Sequence, residues 1–111
     1  RRQDDYPRRW EAARFGEVEA VLETAEAGLY LLHVAPGRAI TAHRHERMRE
    51  LEFRVRGELT RCGRPLVGLS AVAWPKGQVH DYRNVGTSAA TVFCCDEPRF
   101  IREDEILLEA S

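Results

Sequence analysis

The stretch Gly37-Arg38-Ala39-Ile40-Thr41-Ala42-His43-Arg44-His45-Glu46-Arg47-Met48-Arg49-Glu50-Leu51-Glu52-Phe53-Arg54-Val55-Arg56-Gly57 decides how this chain folds. His43 and His45 stand one residue apart, Glu50 follows five positions on, and a glycine closes each end. On a β-strand, side chains two apart share a face, so both imidazoles can point to one side and converge on one ion. A neighbouring strand, entered after a turn, can add Glu50. Imidazole nitrogens with one carboxylate suit Zn, Mn, Fe, Co or Ni, and such a set with open positions can polarise a carbonyl or bind dioxygen.

Working outward, a second segment places His80 just past Pro75-Lys76-Gly77 and before Asn84, adding a fourth residue of ligand type. Residues 29–34, 51–55, 66–74 and 91–95 are short apolar or alternating runs. Pro36-Gly37, Gly57, Gly63-Arg64-Pro65, Pro75-Lys76-Gly77 and Asn84-Val85-Gly86-Thr87-Ser88 separate them, which is the pattern of a sandwich or barrel of short strands. Upstream, residues 11–27 are rich in Ala and Glu, and Phe15, Val18 and Leu22 fall at helical spacing, so propensity alone favours a helix there. Residues 1–10 show no periodicity and read as an arm that is loose unless a partner holds it, with Trp10 its natural anchor. The tail, residues 102–109, suits an edge strand or a short helical turn.

At 111 residues the chain holds one core and not two. A net charge of -1 excludes a strongly basic nucleic-acid binder, and 43% apolar content excludes a disordered acidic tail. No apolar run approaches the ~18 residues of a membrane span. Three cysteines, Cys62, Cys94 and Cys95, have no Cys-x-x-Cys spacing and read as free thiols packed on strands, so a reducing cytoplasm is expected.

Taken together, Gly37, His43, His45, Glu50 and Gly57 match the spacing of the first cupin signature, and Pro75-Lys76-Gly77, His80 and Asn84 resemble the second. The resemblance implies an all-β fold, a single-domain jelly-roll barrel, over residues 14–111, preceded by an arm over residues 1–13. It also implies one divalent transition metal inside, held by His43, His45, Glu50 and His80. Closure into a barrel removes the exposed edges that many short strands would otherwise leave. Within the superfamily, residues 14–107 resemble the cupin domain of type II mannose-6-phosphate isomerases through Phe15-Gly16, Val34-Ala35-Pro36-Gly37 and Phe100-Ile101-Arg102-Glu103-Asp104-Glu105-Ile106. This likeness turns residues 17–24 from helix to a strand that leads into a turn at residues 26–28. Cupins of this size usually pair, so a homodimer is expected, with the N-terminal arm free to add a strand to a neighbouring sheet.

If the strand after Glu50 is regular, Glu52, Arg54 and Arg56 share its inward face and Leu51, Phe53 and Val55 lie opposite. A bulge directly after Glu50 would invert this and bury Leu51 and Phe53. On the regular reading Glu52 is a candidate proton carrier and Arg54 a candidate for an anionic substrate. His33 is a second candidate proton carrier, against a plain structural histidine, and Tyr82 shares the parity of His80 and is a candidate for the mouth. The leading reading is a metal-dependent enzyme on a small anionic or sugar-like molecule, of isomerase or epimerase type. An Fe(II)-dependent dioxygenase and a non-catalytic small-molecule sensor are the alternatives.

Overall fold

The turn clusters divide the chain into eleven strands, which the computed structural model describes over residues 9–108. In order these are β1 (Arg9–Ala13), β2 (Gly16–Glu23), β3 (Gly28–Val34), β4 (Ala39–His45), β5 (Arg49–Arg56), β6 (Leu59–Arg61), β7 (Arg64–Pro65), β8 (Val72–Trp74), β9 (His80–Asn84), β10 (Ala90–Glu97) and β11 (Glu105–Leu107). They build two antiparallel sheets, β1-β2-β3-β10-β5-β8 and β11-β4-β9-β6-β7, and the side chains between the sheets form the core. Val34, Ile40, Leu59, Tyr82, Ala90 and Val92 fill one end, while Ala20, Tyr30 and Cys94 fill the other. Among the described residues no helix is long and apolar enough to cross a membrane.

The extended arrangement wins over helical propensity in residues 16–23 because β2 pairs with β3 along its length and buries Ala20 and Glu19. Part of the expected loose arm is likewise ordered. Residues 9–13 are the edge strand β1, paired from Arg9↔Ala20 to Ala13↔Gly16, and the remainder of the arm, residues 1–8, lies outside the described residues. The tail supplies both of its expected forms, a 3-10 turn at Arg102–Asp104 and the edge strand β11 against β4. The apolar run over residues 66–74 is strand only at its end, since Gly68 and Ser70 take positive φ (64° and 49°) and break the extension. Gly57 turns β5 into β6 at φ 96° with its Cα pressed against Ala90, where any Cβ would collide.

Period two holds in β5 through Glu52. Glu50 and Glu52 are buried, Leu51 is 48% exposed, and no bulge follows Glu50. The irregularity comes later, opposite the Thr91/Val92 step, where Arg56 pairs with Thr91 and Arg54 with Val92. Arg56 is therefore exposed, not inward, and Arg54 turns its guanidinium to the backbone carbonyls of Gly68 (2.9 Å) and Gly57 (3.0 Å).

Candidate metal centre

Three strands from two sheets bring the four ligand-type residues together. His43 and His45 project inward from β4, His80 stands directly across from His43 on β9, and Glu50 faces them from β5 of the other sheet. All four are buried, and one ligand atom from each lies within 4.8 Å of the others. The imidazole centroids are 4.3 Å apart for His43 and His80, 5.0 Å for His43 and His45, and 6.0 Å for His45 and His80.

Each imidazole is held by its far nitrogen. His43 Nδ1 lies 2.8 Å from the Thr41 carbonyl, His80 Nδ1 3.0 Å from Gln78, and His45 Nδ1 3.2 Å from Asp104. A carbonyl only accepts, so each Nδ1 donates, which leaves each neutral ring's Nε2 lone pair turned to the cluster. His80 Nε2 lies 2.9 Å and His45 Nε2 3.5 Å from Glu50 Oε1. Apart from one another, Glu50 Oε1 and His80 Nε2 have no hydrogen-bond partner although fully buried. Facing lone pairs at this distance demand a cation between them, either a proton or a metal ion, so this donor set fits a transition metal.

The electrostatics carry the same message. Burial works against ionising Glu50, yet the bonds from His80 and Asp96 hold its carboxyl down at about 2. Burial would also depress His80, but Glu50 beside it and Glu52 behind it raise it above the ordinary imidazole value. His43 moves the other way, lowered by burial and by the charge of His80.

Beside Glu50 on β10 stand Cys94, buried as the free strand thiol that the sequence suggests, and Asp96, which the sequence reading passed over. The Cys94 thiol reaches Asp96 Oδ1 (3.1 Å) and Glu50 Oε2 (3.4 Å), and burial with the Glu50 charge pushes the Asp96 carboxyl up to about 10. Period two along β10 points to them once Val92 is known to face inward. Asp104 was also missed. Its carboxylate accepts from the backbone N–H groups of Glu46 (3.0 Å) and Arg47 (2.8 Å), and so clamps the loop that carries the chain from His45 to Glu50.

Glu50, Cys94 and Asp96 form the deep wall of a cavity of about 590 Å³ between β1–β3 and the β4–β11 edge. Phe15, Leu32, Ile40 and Phe100 give it apolar sides, and Arg9, Arg14 and Arg102 stand at its rim with Glu11, Glu23 and Glu105. Of the four ligand-type residues only Glu50 lines it, and none of the other four candidates does. Glu52 lies behind the cluster, where Oε1 accepts from Trp74 Nε1 and the Tyr82 hydroxyl, both at 2.7 Å. Tyr82 is in the core at 1% exposure and not at a mouth. His33 sits on the opposite face of its strand from the core residues Tyr30 and Val34, bonded to Thr91 (2.9 Å) and Glu19 (3.3 Å) and stacked on Trp10. Arg54 is tied to backbone carbonyls as described.

No family profile and no curated protein matches this sequence. Solved structures do. CapF from Staphylococcus aureus, a capsular polysaccharide assembling protein, superposes with a TM-score of 0.81 at 18% identity over 95% of this chain, which spans 35% of the CapF chain. KdgF from Halomonas sp. gives 0.68 at 19% identity over 86% of this chain and 92% of its own. Streptomyces Pac13 with uridine gives 0.73 at 13% identity over 92% and 84%, and Pac13 is described as a nucleoside dehydratase. All three are cupin-fold proteins, and with its two facing antiparallel sheets and its inward histidines on β4 and β9, this chain has the cupin fold.

Proposed function

We propose that the protein is a metal-dependent cupin enzyme acting on a small, partly anionic molecule of sugar-like size, with His43, His45, Glu50 and His80 holding one divalent transition metal. The observation that carries this reading is the shared restraint of the three imidazoles. Each gives its Nδ1 proton to a backbone carbonyl and keeps Nε2 free for the cluster, where those of His80 and His45 lie 2.9 and 3.5 Å from Glu50 Oε1. When bound, the ion supplies Lewis-acid polarisation of a carbonyl or hydroxyl oxygen.

The chain's own residues do the rest. The cavity volume lies within the range of small-molecule sites, its apolar sides exclude water, and the rim arginines favour an anionic group. Asp96, with its carboxyl on the cavity wall beside Glu50, is the group placed to give or take a proton, a role the sequence reading assigned to Glu52. A proton shift next to a carbonyl, as in isomerisation or epimerisation, uses these parts. The sugar-linked descriptions of CapF and Pac13 support a sugar-like substrate.

The test is deuterium exchange by proton NMR on a panel of sugar phosphates and sugar acids, with metal-loaded and chelated protein. Metal-dependent exchange at a carbon next to a carbonyl supports the reading. Ligand binding that survives chelation, with no exchange, supports a non-catalytic sensor instead, and iron-dependent oxygen uptake supports a dioxygenase.

The protein is also a homodimer on this reading. Leu31, Phe93 and Phe53 run in register across the outer face of the larger sheet, with the half-exposed Leu51 beside them, an apolar surface that a second copy covers. The unpaired thiols Cys62, Cys94 and Cys95 suit the cytoplasm.

A further inference from the structure

Behind the four candidate ligands lies a hydrogen-bonded aromatic layer that the proposed chemistry does not use. The Trp74 indole stacks on the His80 imidazole with centroids 4.6 Å apart and planes within 15° of parallel, at 11°. Its Nε1–H donates to Glu52 Oε1 at 2.7 Å, and the same oxygen accepts from the Tyr82 hydroxyl at 2.7 Å. Tyr82 in turn accepts from Arg61 Nε at 3.1 Å, and the second arm of that guanidinium donates to the Ser70 carbonyl at 2.6 Å. Glu52 and Tyr82 are almost wholly buried, so this chain of bonds is fixed in the core.

We propose that Trp74, locked by Glu52, is the positioning residue that sets the ring plane of His80 and so aims its Nε2 at the metal. This rests on the metal reading of the cluster and gives Glu52 a different place in it. The Nδ1 bond to Gln78 fixes one end of the imidazole but leaves rotation about that bond open. A flat indole against the ring face removes that rotation. The indole itself is held in its own plane by its bond to Glu52 Oε1, an oxygen that the Tyr82 hydroxyl fixes from the other side. A group that orients a ligand from behind changes metal affinity by roughly 10- to 100-fold when it is lost.

The test uses Co(II), whose visible spectrum reports ligand number and geometry, on wild type and on Trp74→Leu, Trp74→Phe, Glu52→Leu, Glu52→Gln and His80→Ala. Circular dichroism confirms that each variant folds. Trp74→Leu and Glu52→Leu are expected to bind Co(II) about 10-fold more weakly or worse, with spectra shifted toward that of His80→Ala. Glu52→Gln keeps an acceptor oxygen for the indole and is expected to hold the wild-type spectrum, while Trp74→Phe keeps a flat ring without the lock and is expected to fall between wild type and Trp74→Leu. Rescue by Glu52→Gln separates aiming from general destabilisation, and it is the one test that remains clear if the leucine variants do not fold. Folded leucine variants with the wild-type spectrum and affinity overturn this inference and leave the metal reading intact. A Glu52→Gln spectrum that matches His80→Ala also overturns it. Wild type that takes up no Co(II) overturns the metal reading and this inference with it.

Discussion

Asp104→Asn is the substitution whose effect follows most directly from the structure. The Asp104 carboxylate uses both oxygens, Oδ1 for the Glu46 N–H at 3.0 Å and Oδ2 for the Arg47 N–H at 2.8 Å, while the residue itself is 3% exposed. Asparagine keeps the shape but offers only one acceptor. Its NH₂ group must face one of the two backbone donors, so one bond is lost and a donor meets a donor. A hydrogen bond to a charged group contributes about 1.5–3 kcal/mol, and the second bond also loses its charge assistance. Because the two amides belong to an exposed loop that water can reach, the expected loss is about 2–3 kcal/mol, or roughly 10 °C in Tm for a domain near 100 residues. Asp104→Ala should lose about as much, since asparagine rescues so little. Urea unfolding of chelated protein followed by circular dichroism measures it. Asp104→Asn within about 0.5 kcal/mol of wild type would refute the clamp, because such a shift is typical of an unengaged surface site.

Acid and base should act oppositely on the chelated protein. Glu50 is depressed from 4.5 to about 2, so its contribution is present above 4.5 and is lost as pH falls toward 2; His80 is raised from 6.5, so its contribution is present below 6.5 and is lost as pH rises through the folded value. Asp96, raised from 3.8 to about 10, also makes the fold less stable as pH rises, so the chelated melting temperature should peak near pH 4.5 and fall above it, whereas metal-loaded protein should not fall; a chelated melt that rises steadily to pH 9 contradicts this. Asp96→Asn should keep Co(II) affinity within about threefold but lower proton exchange on an identified substrate by at least ~10²-fold, as loss of a general acid or base does; unchanged exchange removes Asp96 from the chemistry. Leu51→Glu, placing a charge on the outer sheet face, should give a monomeric mass by light scattering from a dimeric wild type, and a wild-type monomer rejects the dimer.

The ligand quartet was legible because metal chemistry and strand geometry both act at fixed sequence spacing. His43 and His45 fall on one face by period two, the short loop after His45 brings Glu50 to them, and the pairing of β9 with β4 sets His80 opposite His43. Glu52 was rightly placed inward by the same rule, but its role was not legible. The indole and phenol that enclose it come from Trp74 and Tyr82 on strands paired only in three dimensions. Arg56 left the inward face because of an irregularity opposite Thr91/Val92 that no residue in β5 itself announces, while Arg54 keeps register with Val92 and spends its guanidinium on backbone carbonyls. The arm misled for a related reason. Arg9–Ala13 has no alternation of its own, and it is a strand because β2 offers it an edge. Asp104 was visible only as part of an acidic ending, since its partners are backbone amides some 57 residues away in sequence.

The central claim is the metal, and the most direct measurement is elemental analysis of protein purified without chelator or an affinity-tag metal. The account predicts close to a single transition-metal ion per chain, lost on His45→Ala. A chain that arrives metal-free and takes up no added Zn, Mn, Fe, Co or Ni would contradict it.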